Sequence, residues 1–250
     1  MDIFTFETTL DGSPTLRIRV SEKELSEAMH SLKGAFSETL YIYGAALQKM
    51  LESGFPPRIL SMGLGLGYVE ILASALLQKA GKETRDVYIE SFEILPELRE
   101  RIVAWLNDDS QCPANFIQAY DQILGRTASE VGLNNKEIKA YLHDLYSQGR
   151  WTIREALTPE TKFSFKFSCI CFDAFSSKST PEVWTEAFLR DFLSKAADER
   201  CVLSTYACTG NLKRALREAG FKLEIRQGFS SKRDSTFAVR EDESLALPTR

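Results

Sequence analysis

The sequence has 250 residues, of which 44% are hydrophobic and 26% are charged, and its formal net charge is -4. This length is enough for a substantial core, in one large α/β domain or two small ones. No apolar run approaches the roughly 20 residues of a membrane-spanning helix, and the first residues lack the basic and apolar stretches of a secretory signal. These features predict no membrane-spanning helix, and we expect a cytoplasmic location with no membrane partner.

The chain begins with a predicted β-hairpin, because two segments of alternating polarity flank the turn residues 11–13. Helices are then predicted over roughly 21–30 and 37–53, and the second of these ends at Gly54. Residues 1–54 therefore form an N-terminal section made of a hairpin and helices.

The middle of the chain alternates between short apolar runs and helical patterns. Strands are predicted at 58–62, 86–92 and, from the run "ANFIQAY", at 114–120, and helices at 67–80 and 96–107. Residues 121–161 are polar and helical without a strand-like run, and we interpret them as a helical insertion within a single domain over 1–250.

The last third of the chain returns to the regular alternation. Strands are predicted at 167–173, 200–207, 221–227 and 235–241, and helices at 180–196 and 210–220. Alternating strands and helices indicate βαβ units. The predicted fold class is α/β, with a mostly parallel, Rossmann-like sheet and an antiparallel C-terminal edge strand.

Three glycines at alternate positions follow the first strand of that sheet, in "SMGLGLGYVE". We expect Gly63 to permit a sharp turn, Gly65 to let a ligand lie against bare backbone, and Gly67 to let the next helix pack closely. The spacing is G-x-G-x-G, which differs from the G-x-G-x-x-G of dinucleotide sites, and no G-K-[ST] follows, which excludes a P-loop. The pattern favours S-adenosylmethionine as cofactor, and a merely tight turn is the alternative.

A carboxylate at the end of the next strand would accept hydrogen bonds from both ribose hydroxyls of that cofactor. The run "YIESFE" offers Glu90 and Glu93. Glu93 follows the last apolar residue, at the edge where ligands bind in open α/β sheets. We therefore prefer Glu93 and interpret Glu90 as an exposed strand residue.

A second acidic residue, Asp173, follows the apolar run at 170–172 and would face the same edge of the sheet. Methyl transfer to an amine needs a free nitrogen lone pair aimed at the methyl carbon, and a carboxylate could orient the amine and take its proton. We predict Asp173 as the catalytic group and as part of the cofactor site, with a loop or helix cap as the alternative. Nearby Lys178 could contact substrate or be a solvated loop residue.

The composition bears on the binding of metal ions and nucleic acid. The two histidines and five cysteines, with no C-x-x-C pair, predict no metal site. Cys169 and Cys171 alternate with their neighbours, which predicts buried structural thiols on one face of a strand. The net charge does not suggest nucleic acid, yet positions 211–233 hold seven basic residues against two acidic ones, so a locally basic surface could contact phosphates.

Several motifs resemble one known family over roughly residues 29–240. The segments "FDAFSSKSTPEVWT", "LSTYACTGNLKRALREAGF", "GFSSKRD", "MHSLKGAFSET", "SMGLGLGYVE" and "SFEILP" are similar to the methyltransferase domain of the MnmC family, which acts in tRNA 5-methylaminomethyl-2-thiouridine biosynthesis, and to its stand-alone MnmD (DUF752) relatives. The sequence departs from the family pattern at Val69, where the family usually has Asn, and at Ser230, where the family has Gly.

The resemblance implies a class I methyltransferase fold that uses S-adenosylmethionine and methylates the exocyclic amine of wobble 5-aminomethyl-(2-thio)uridine in tRNA. It implies that Asp173 positions or deprotonates that amine, and it favours Glu93 as the ribose ligand. No flavin is expected, because the chain holds no second Gly-rich strand-turn-helix. On this hypothesis the residues that contact tRNA or substrate are Lys178, Lys213, Arg214, Arg217, Lys232 and Arg233.

Two other functions compete with this hypothesis. The acidic net charge is compatible with a methyltransferase for small amines, such as a polyamine-related one, on the same fold. A degenerate methyltransferase fold that serves as a binding protein is the third possibility, with Val69 as a sign of decay. Fold alone does not decide among them.

Overall fold

The computed structural model describes residues 3–19, 28–174, 181–230 and 234–241. The predicted contacts Lys178, Lys232 and Arg233 lie outside these ranges. Most of the helix predicted over 21–30 also lies outside them, and its described residues, 28–30, are not helical.

The N-terminal hairpin is present as predicted, with β1 (Phe4–Thr8) antiparallel to β2 (Pro14–Ile18). Its turn is fixed by Asp11, whose Oδ1 accepts a hydrogen bond from the Ser13 backbone N–H and whose Oδ2 accepts one from the Ser37 N–H at 2.9 Å. Burial raises the pKa of Asp11, but these and further hydrogen bonds outweigh it and hold the pKa well below its usual value. The hairpin is thereby tied to the start of the first helix.

The helix predicted over 37–53 is one continuous helical stretch with an irregular middle. It consists of α1 (Ala35–Thr39), a π-helical turn (Leu40–Gly44) and α2 (Ala45–Glu52). A π-helical turn inserts an extra residue into the helical repeat and is frequent at functional sites.

The remaining strands form one seven-stranded sheet. Their bounds are β3 (Arg58–Met62), β4 (Tyr88–Phe92), β5 (Trp151–Arg154), β6 (Phe167–Phe172), β7 (Ala197–Thr205), β8 (Lys222–Gln227) and β9 (Asp234–Arg240). The order across the sheet is β5-β4-β3-β6-β7-β9-β8. Strands β3 to β7 pair in parallel, and β9 is antiparallel to both β7 and β8. The antiparallel strand therefore lies one position inside the edge, and not at the edge as predicted.

Helices cover both faces of this sheet. The remaining ones are α3 (Tyr68–Lys79), α4 (Pro96–Leu106), α5 (Ala114–Val131), α6 (Asn135–Ser147), α7 (Glu186–Ala196) and α8 (Gly210–Glu218). Buried residues of α1 to α6 share one core with Cys169 and Cys171, and those of α7 and α8 share the other with Ile170. The alternation predicted for the two buried cysteines is confirmed.

Two predictions for the middle of the chain are wrong. The run predicted as a strand at 114–120 is the first part of α5, because its buried residues continue at helical spacing through Ile123 and Thr127. The segment 121–161 was expected to hold no strand, but it contains β5, which pairs with β4. Trp151 of β5 is buried and donates from Nε1 to Ser91 Oγ at 3.0 Å.

Crossing a bilayer would take a longer and more apolar helix than any that the described ranges contain.

Candidate active site

The glycine-rich turn joins β3 to α3 through three left-handed residues, with φ of 94° at Gly63, 51° at Gly65 and 69° at Gly67. A Cβ on Gly63 would lie 2.5 Å from the backbone O of Asp173, and one on Gly67 would lie 2.3 Å from Ile102 Cδ1 of α4. Gly63 is thus required for the sharp turn, because its added Cβ would collide with backbone. At Gly67 the added Cβ meets the end of a flexible side chain, and the left-handed φ is what favours glycine. Gly65 has space around it, since the nearest atom to its added Cβ is Met29 Sδ at 3.7 Å.

The end of β4 delivers Glu93 to this turn. Glu93 Oε2 accepts a hydrogen bond from the Gly65 N–H at 3.0 Å, and Oε1 accepts one from the Leu95 N–H at 2.9 Å. Burial raises the pKa of Glu93, and these hydrogen bonds oppose part of the rise. Glu90 is buried, so its interpretation as an exposed strand residue is wrong. It is held by Arg154, whose Nη1 lies 2.7 Å from Glu90 Oε1, and it does not line the cavity described next.

A cavity of about 1130 Å³ opens at the carboxyl ends of β3, β4 and β6. Its lining includes Gly63, Gly65, Glu93 and Asp173. The sequence predicted that the bare-backbone turn and the acidic residue after β6 would converge at one rim of the sheet, and the structure places them in one cavity. This is the crevice in which open α/β sheets bind ligands.

Asp173 is held from both its main chain and its side chain. Its N–H donates to the Met62 carbonyl at 2.9 Å, which continues the pairing of β6 with β3. Its Oδ1 accepts a hydrogen bond from the Tyr43 hydroxyl at 2.5 Å. Sequence analysis missed Tyr43, which is buried in the π-helical turn and also lines the cavity.

The segment "HSLKGAFSE" forms another wall of the cavity, to which His30, Ser31 and Glu38 contribute. Glu38 Oε2 accepts a hydrogen bond from the Ser31 N–H at 2.7 Å, which closes the loop onto α1. Gly34 has φ 152°, and a Cβ on it would lie 2.6 Å from Asp11 Oδ2. The spacing of this motif therefore reflects a loop that packs against the hairpin and borders the cavity.

The described lining of the cavity is acidic, since two basic side chains, Arg17 and His30, face a larger set of carboxylates. Arg17 is itself paired with Glu7, with Nε 2.7 Å from Oε1. The carboxylates of the lining are Glu38, Glu93, Glu155, Asp173, Glu182 and Asp191. Such a cavity attracts cationic ligands and repels phosphate groups from its interior.

Three of the basic residues predicted to contact tRNA, Lys213, Arg214 and Arg217, lie on α8, away from the described cavity lining. Arg214 and Arg217 are exposed, and Lys213 is half-buried. Arg214 is engaged within the protein, because its Nε lies 2.6 Å from Glu186 Oε2 of α7. The structure thus does not bring these residues together with Asp173 and the glycine turn.

A buried carboxyl group that sequence analysis did not single out lies beneath the glycine turn. Glu70, in the first turn of α3, accepts a hydrogen bond from Ser91 Oγ at 2.7 Å. Burial raises the pKa of Glu70 from its usual value of 4.5 to about 7. Ser91 Oγ also accepts a hydrogen bond from Trp151 Nε1. The Glu70 carboxyl group therefore belongs to a polar network between α3, β4 and β5.

Among the residues that the structure describes, no group of three or more His, Cys, Asp or Glu side chains could hold a metal ion.

Comparison with known proteins shows similarity to methyltransferases. Residues 119–241 match the model of a family described as S-adenosyl-L-methionine-dependent methyltransferase. The chain is 27% identical over 223 residues to the tRNA 5-methylaminomethyl-2-thiouridine biosynthesis bifunctional protein MnmC of Hahella chejuensis, covering 84% of this chain and 33% of that protein. It is 26% identical over 213 residues to the protein of the same name from Burkholderia mallei, covering 82% and 31%. The chain spans about a third of the length of these relatives.

The crystal structure of MnmC2 from Aquifex aeolicus is a similar solved structure. It aligns with a TM-score of 0.62 at 25% sequence identity and covers 96% of this chain and 73% of that chain. The seven-stranded sheet with its internal antiparallel strand is therefore a class I, Rossmann-like methyltransferase fold, as the sequence predicted.

Proposed function

The chain belongs to the S-adenosyl-L-methionine-dependent methyltransferase family that includes the methyltransferase part of MnmC proteins, and from this premise we propose that it methylates the aminomethyl group of wobble 5-aminomethyl-(2-thio)uridine in tRNA. The observation that carries the proposal is the shared cavity, in which the backbone of Gly65 and the carboxylate of Asp173 lie together. The names of the relatives support tRNA as the substrate.

The residues at the glycine turn fit S-adenosylmethionine, which supplies a methyl group on a sulfonium centre when it is bound. Gly65 offers bare backbone within the cavity, and a side chain there would occupy part of that space. Glu93 accepts one N–H on each oxygen, and each carboxylate oxygen retains a second lone pair for a ribose hydroxyl. The acidic lining also favours a cationic cofactor.

Asp173 prepares the acceptor. An amine at neutral pH carries an extra proton, and its nitrogen can form a new bond to carbon only after that proton leaves. The Asp173 main chain is held by its N–H bond to the Met62 carbonyl, and its carboxylate is held by the Tyr43 hydroxyl. That carboxylate accepts the N–H of the amine and receives its proton directly or through water. The same contact aims the nitrogen lone pair, which is the positional part of the catalysis.

The cavity is larger than the range of about 300–1,000 Å³ typical of small-molecule sites, which leaves room for a flipped-out nucleoside beside the cofactor. Because its described interior is acidic, we place the tRNA phosphates outside it. We propose Lys178, Lys213, Arg214, Arg217, Lys232 and Arg233 as residues that hold the tRNA or its target nucleoside. Binding through such contacts weakens as salt concentration rises.

A second candidate function is methylation of a small free amine. The acidic lining favours it, because a polyamine-like cation would be attracted to the same carboxylates without a tRNA surface. Both functions use Asp173 in the same role.

Mass analysis of tRNA nucleosides tests the proposal. Undermodified tRNA that carries 5-aminomethyl-(2-thio)uridine is incubated with the protein and cofactor, and a gain of one methyl group on that nucleoside is the expected result. Parallel reactions contain free amines in place of tRNA. Methylation of the free amines alone establishes the second function. Cofactor binding by calorimetry without methylation of either substrate establishes a binding protein instead.

A further inference from the structure

We propose that Tyr43 is a positioning residue for methyl transfer, and that the π-helical turn which contains it exists to aim its hydroxyl at Asp173. This inference rests on the proposed function, since it assigns a residue that acts through Asp173. It goes beyond that function by assigning a role to a helical irregularity.

The contact is short and buried. Tyr43 Oη lies 2.5 Å from Asp173 Oδ1, and the Tyr43 side chain is 2% exposed. Burial raises the pKa of Tyr43 well above its usual value, and the negative charge of Asp173 raises it further. The hydroxyl therefore keeps its proton and is the donor to the carboxylate.

The π-helical turn explains how Tyr43 reaches this position. Glu38 and Tyr43 both line the cavity although they are five residues apart. In a regular α-helix of 3.6 residues per turn, such residues point about 140° apart. A π-helical turn bonds residues five apart and brings them towards one face. The turn Leu40–Gly44 lies between α1 and α2 and supplies this change of phase.

Two backbone carbonyls of the same turn are anchored to the sheet. The Ile42 carbonyl accepts a hydrogen bond from Ser204 Oγ of β7 at 2.7 Å, and the Tyr41 carbonyl accepts one from Arg226 Nη2 of β8 at 3.0 Å. Side chains from two strands thus hold the π-helical turn in place. Such hydrogen bonds to backbone carbonyls stabilise an irregular turn against a return to regular α-helix.

The consequence for Asp173 is chemical as well as geometric. A donated hydrogen bond favours the ionised carboxylate, so Tyr43 keeps Asp173 in the form that can accept a proton from the amine. It also fixes one oxygen of the carboxylate, which limits rotation of the group.

Other titratable groups around the pair are Glu38 from α1, Cys171 from β6 and Tyr206 after β7. Glu38 and Cys171 both raise the pKa of Tyr43, and the pKa of Cys171 is itself well above its usual value because of its hydrogen bond with Cys169 and its burial. The Tyr206 hydroxyl donates to the Ala174 carbonyl at 2.8 Å, next to Asp173.

The test compares Tyr43→Phe with Tyr41→Phe, which removes a hydroxyl from the same turn. Tyr41 donates to the Gln227 carbonyl at 2.9 Å and does not line the cavity. For Tyr43→Phe we expect kcat to fall by about 10- to 100-fold and the acidic limb of the kcat–pH profile to move up by roughly one pH unit, with cofactor affinity within about twofold. Tyr41→Phe is expected to keep the wild-type profile. An unmoved acidic limb in Tyr43→Phe overturns the proposal.

A measurement without turnover separates this inference from the proposed function. The Asp173 side-chain carboxyl is followed by ¹³C NMR in wild type and in Tyr43→Phe, with Asp173→Asn to assign the signal. A titration midpoint that rises in Tyr43→Phe supports the role of Tyr43 even if no substrate is methylated, and an unchanged midpoint contradicts it. If Tyr43→Phe does not fold, the Tyr43 ¹³Cζ shift in folded Asp173→Ala decides. That variant removes the acceptor, so a shift equal to that of wild type overturns the proposal.

Discussion

The backbone N–H of Gly65 donates to Glu93 Oε2 over 3.0 Å and thereby joins the turn after β3 to the end of β4. The two groups that are proposed to hold the cofactor are therefore one unit before any ligand binds. A carboxylate that is already fixed at the correct place loses little freedom on binding, which favours affinity.

Replacing Glu93 by Gln should weaken cofactor binding by about 10- to 100-fold, because the neutral amide accepts hydrogen bonds less strongly than a carboxylate. Calorimetry with S-adenosylmethionine measures the change. Glu90→Gln is the matched control, since Glu90 lies three residues earlier and pairs with Arg154 outside the cavity lining. Equal losses of cofactor affinity in Glu93→Gln and Glu90→Gln would show that Glu93 does not bind the cofactor directly.

Replacing Asp173 by Asn should lower the methylation rate by about 10²- to 10⁴-fold, the usual effect of losing a general base. The amide oxygen can still accept from Tyr43, so the fold and cofactor affinity should be retained. Asp191→Asn, elsewhere in the cavity lining, should cause a smaller loss. A full rate in Asp173→Asn would rule out the assigned role of the carboxylate.

Replacing Gly63 by Ala should destabilise the protein by about 2–4 kcal/mol, because a left-handed residue gains a Cβ that collides with a backbone carbonyl. That carbonyl belongs to Asp173, at 2.5 Å, so the methylation rate should fall as well. Gly81→Ala is the control, with φ 67° and no atom within 4 Å of the added Cβ, and it should cost about 1 kcal/mol. Urea unfolding gives both values, and a loss of equal size in the two variants would contradict the collision.

Glu70 should make stability fall as pH rises towards 7. Its pKa is raised by burial from 4.5 to about 7, so between these values the folded protein keeps a proton that the unfolded chain releases. Each pH unit in this window lowers the free energy of unfolding by about 1.4 kcal/mol, which gives about 3 kcal/mol in all. Above pH 7 this loss stays constant. Below pH 4.5 both states are protonated and the effect vanishes.

Glu70→Gln removes this titration while keeping an oxygen that can accept from Ser91. The stability of the variant relative to wild type should therefore rise between pH 5 and 7 and then level off, as measured by urea unfolding at pH 5, 6, 7 and 8. Glu137→Gln, on an exposed part of α6, is the comparison. A difference between wild type and Glu70→Gln that is independent of pH would mean that Glu70 titrates normally.

The positions of Gly63, Glu93 and Asp173 in the fold could be predicted from sequence because each directly follows a buried apolar run. Parallel strands bring their carboxyl ends to one edge, so residues distant in sequence meet there. The strand β5 was missed because four residues, Trp151–Arg154, are too few to show alternation. The opposite error at 114–120 arose because Phe116 and Tyr120 look strand-like until the pattern is followed into α5.

Tyr43 could not be found by the same reasoning. Helical periodicity assumes a constant angle per residue, and the π-helical turn changes that angle between Glu38 and Tyr43. The role of α8 was predicted from charge alone, and charge does not reveal that Arg214 is engaged by Glu186 of a neighbouring helix.

The insertion of β9 between β7 and β8 has a consequence for the order in which the protein can assemble on the ribosome. The two flanking strands are synthesised before β9, yet the gap between them is filled only when residues 234–240 emerge. Until then β7 exposes a row of unpaired peptide groups, and such an edge invites association with other chains. A nascent chain halted before position 234 is therefore expected to bind chaperones and to aggregate more readily than the finished protein.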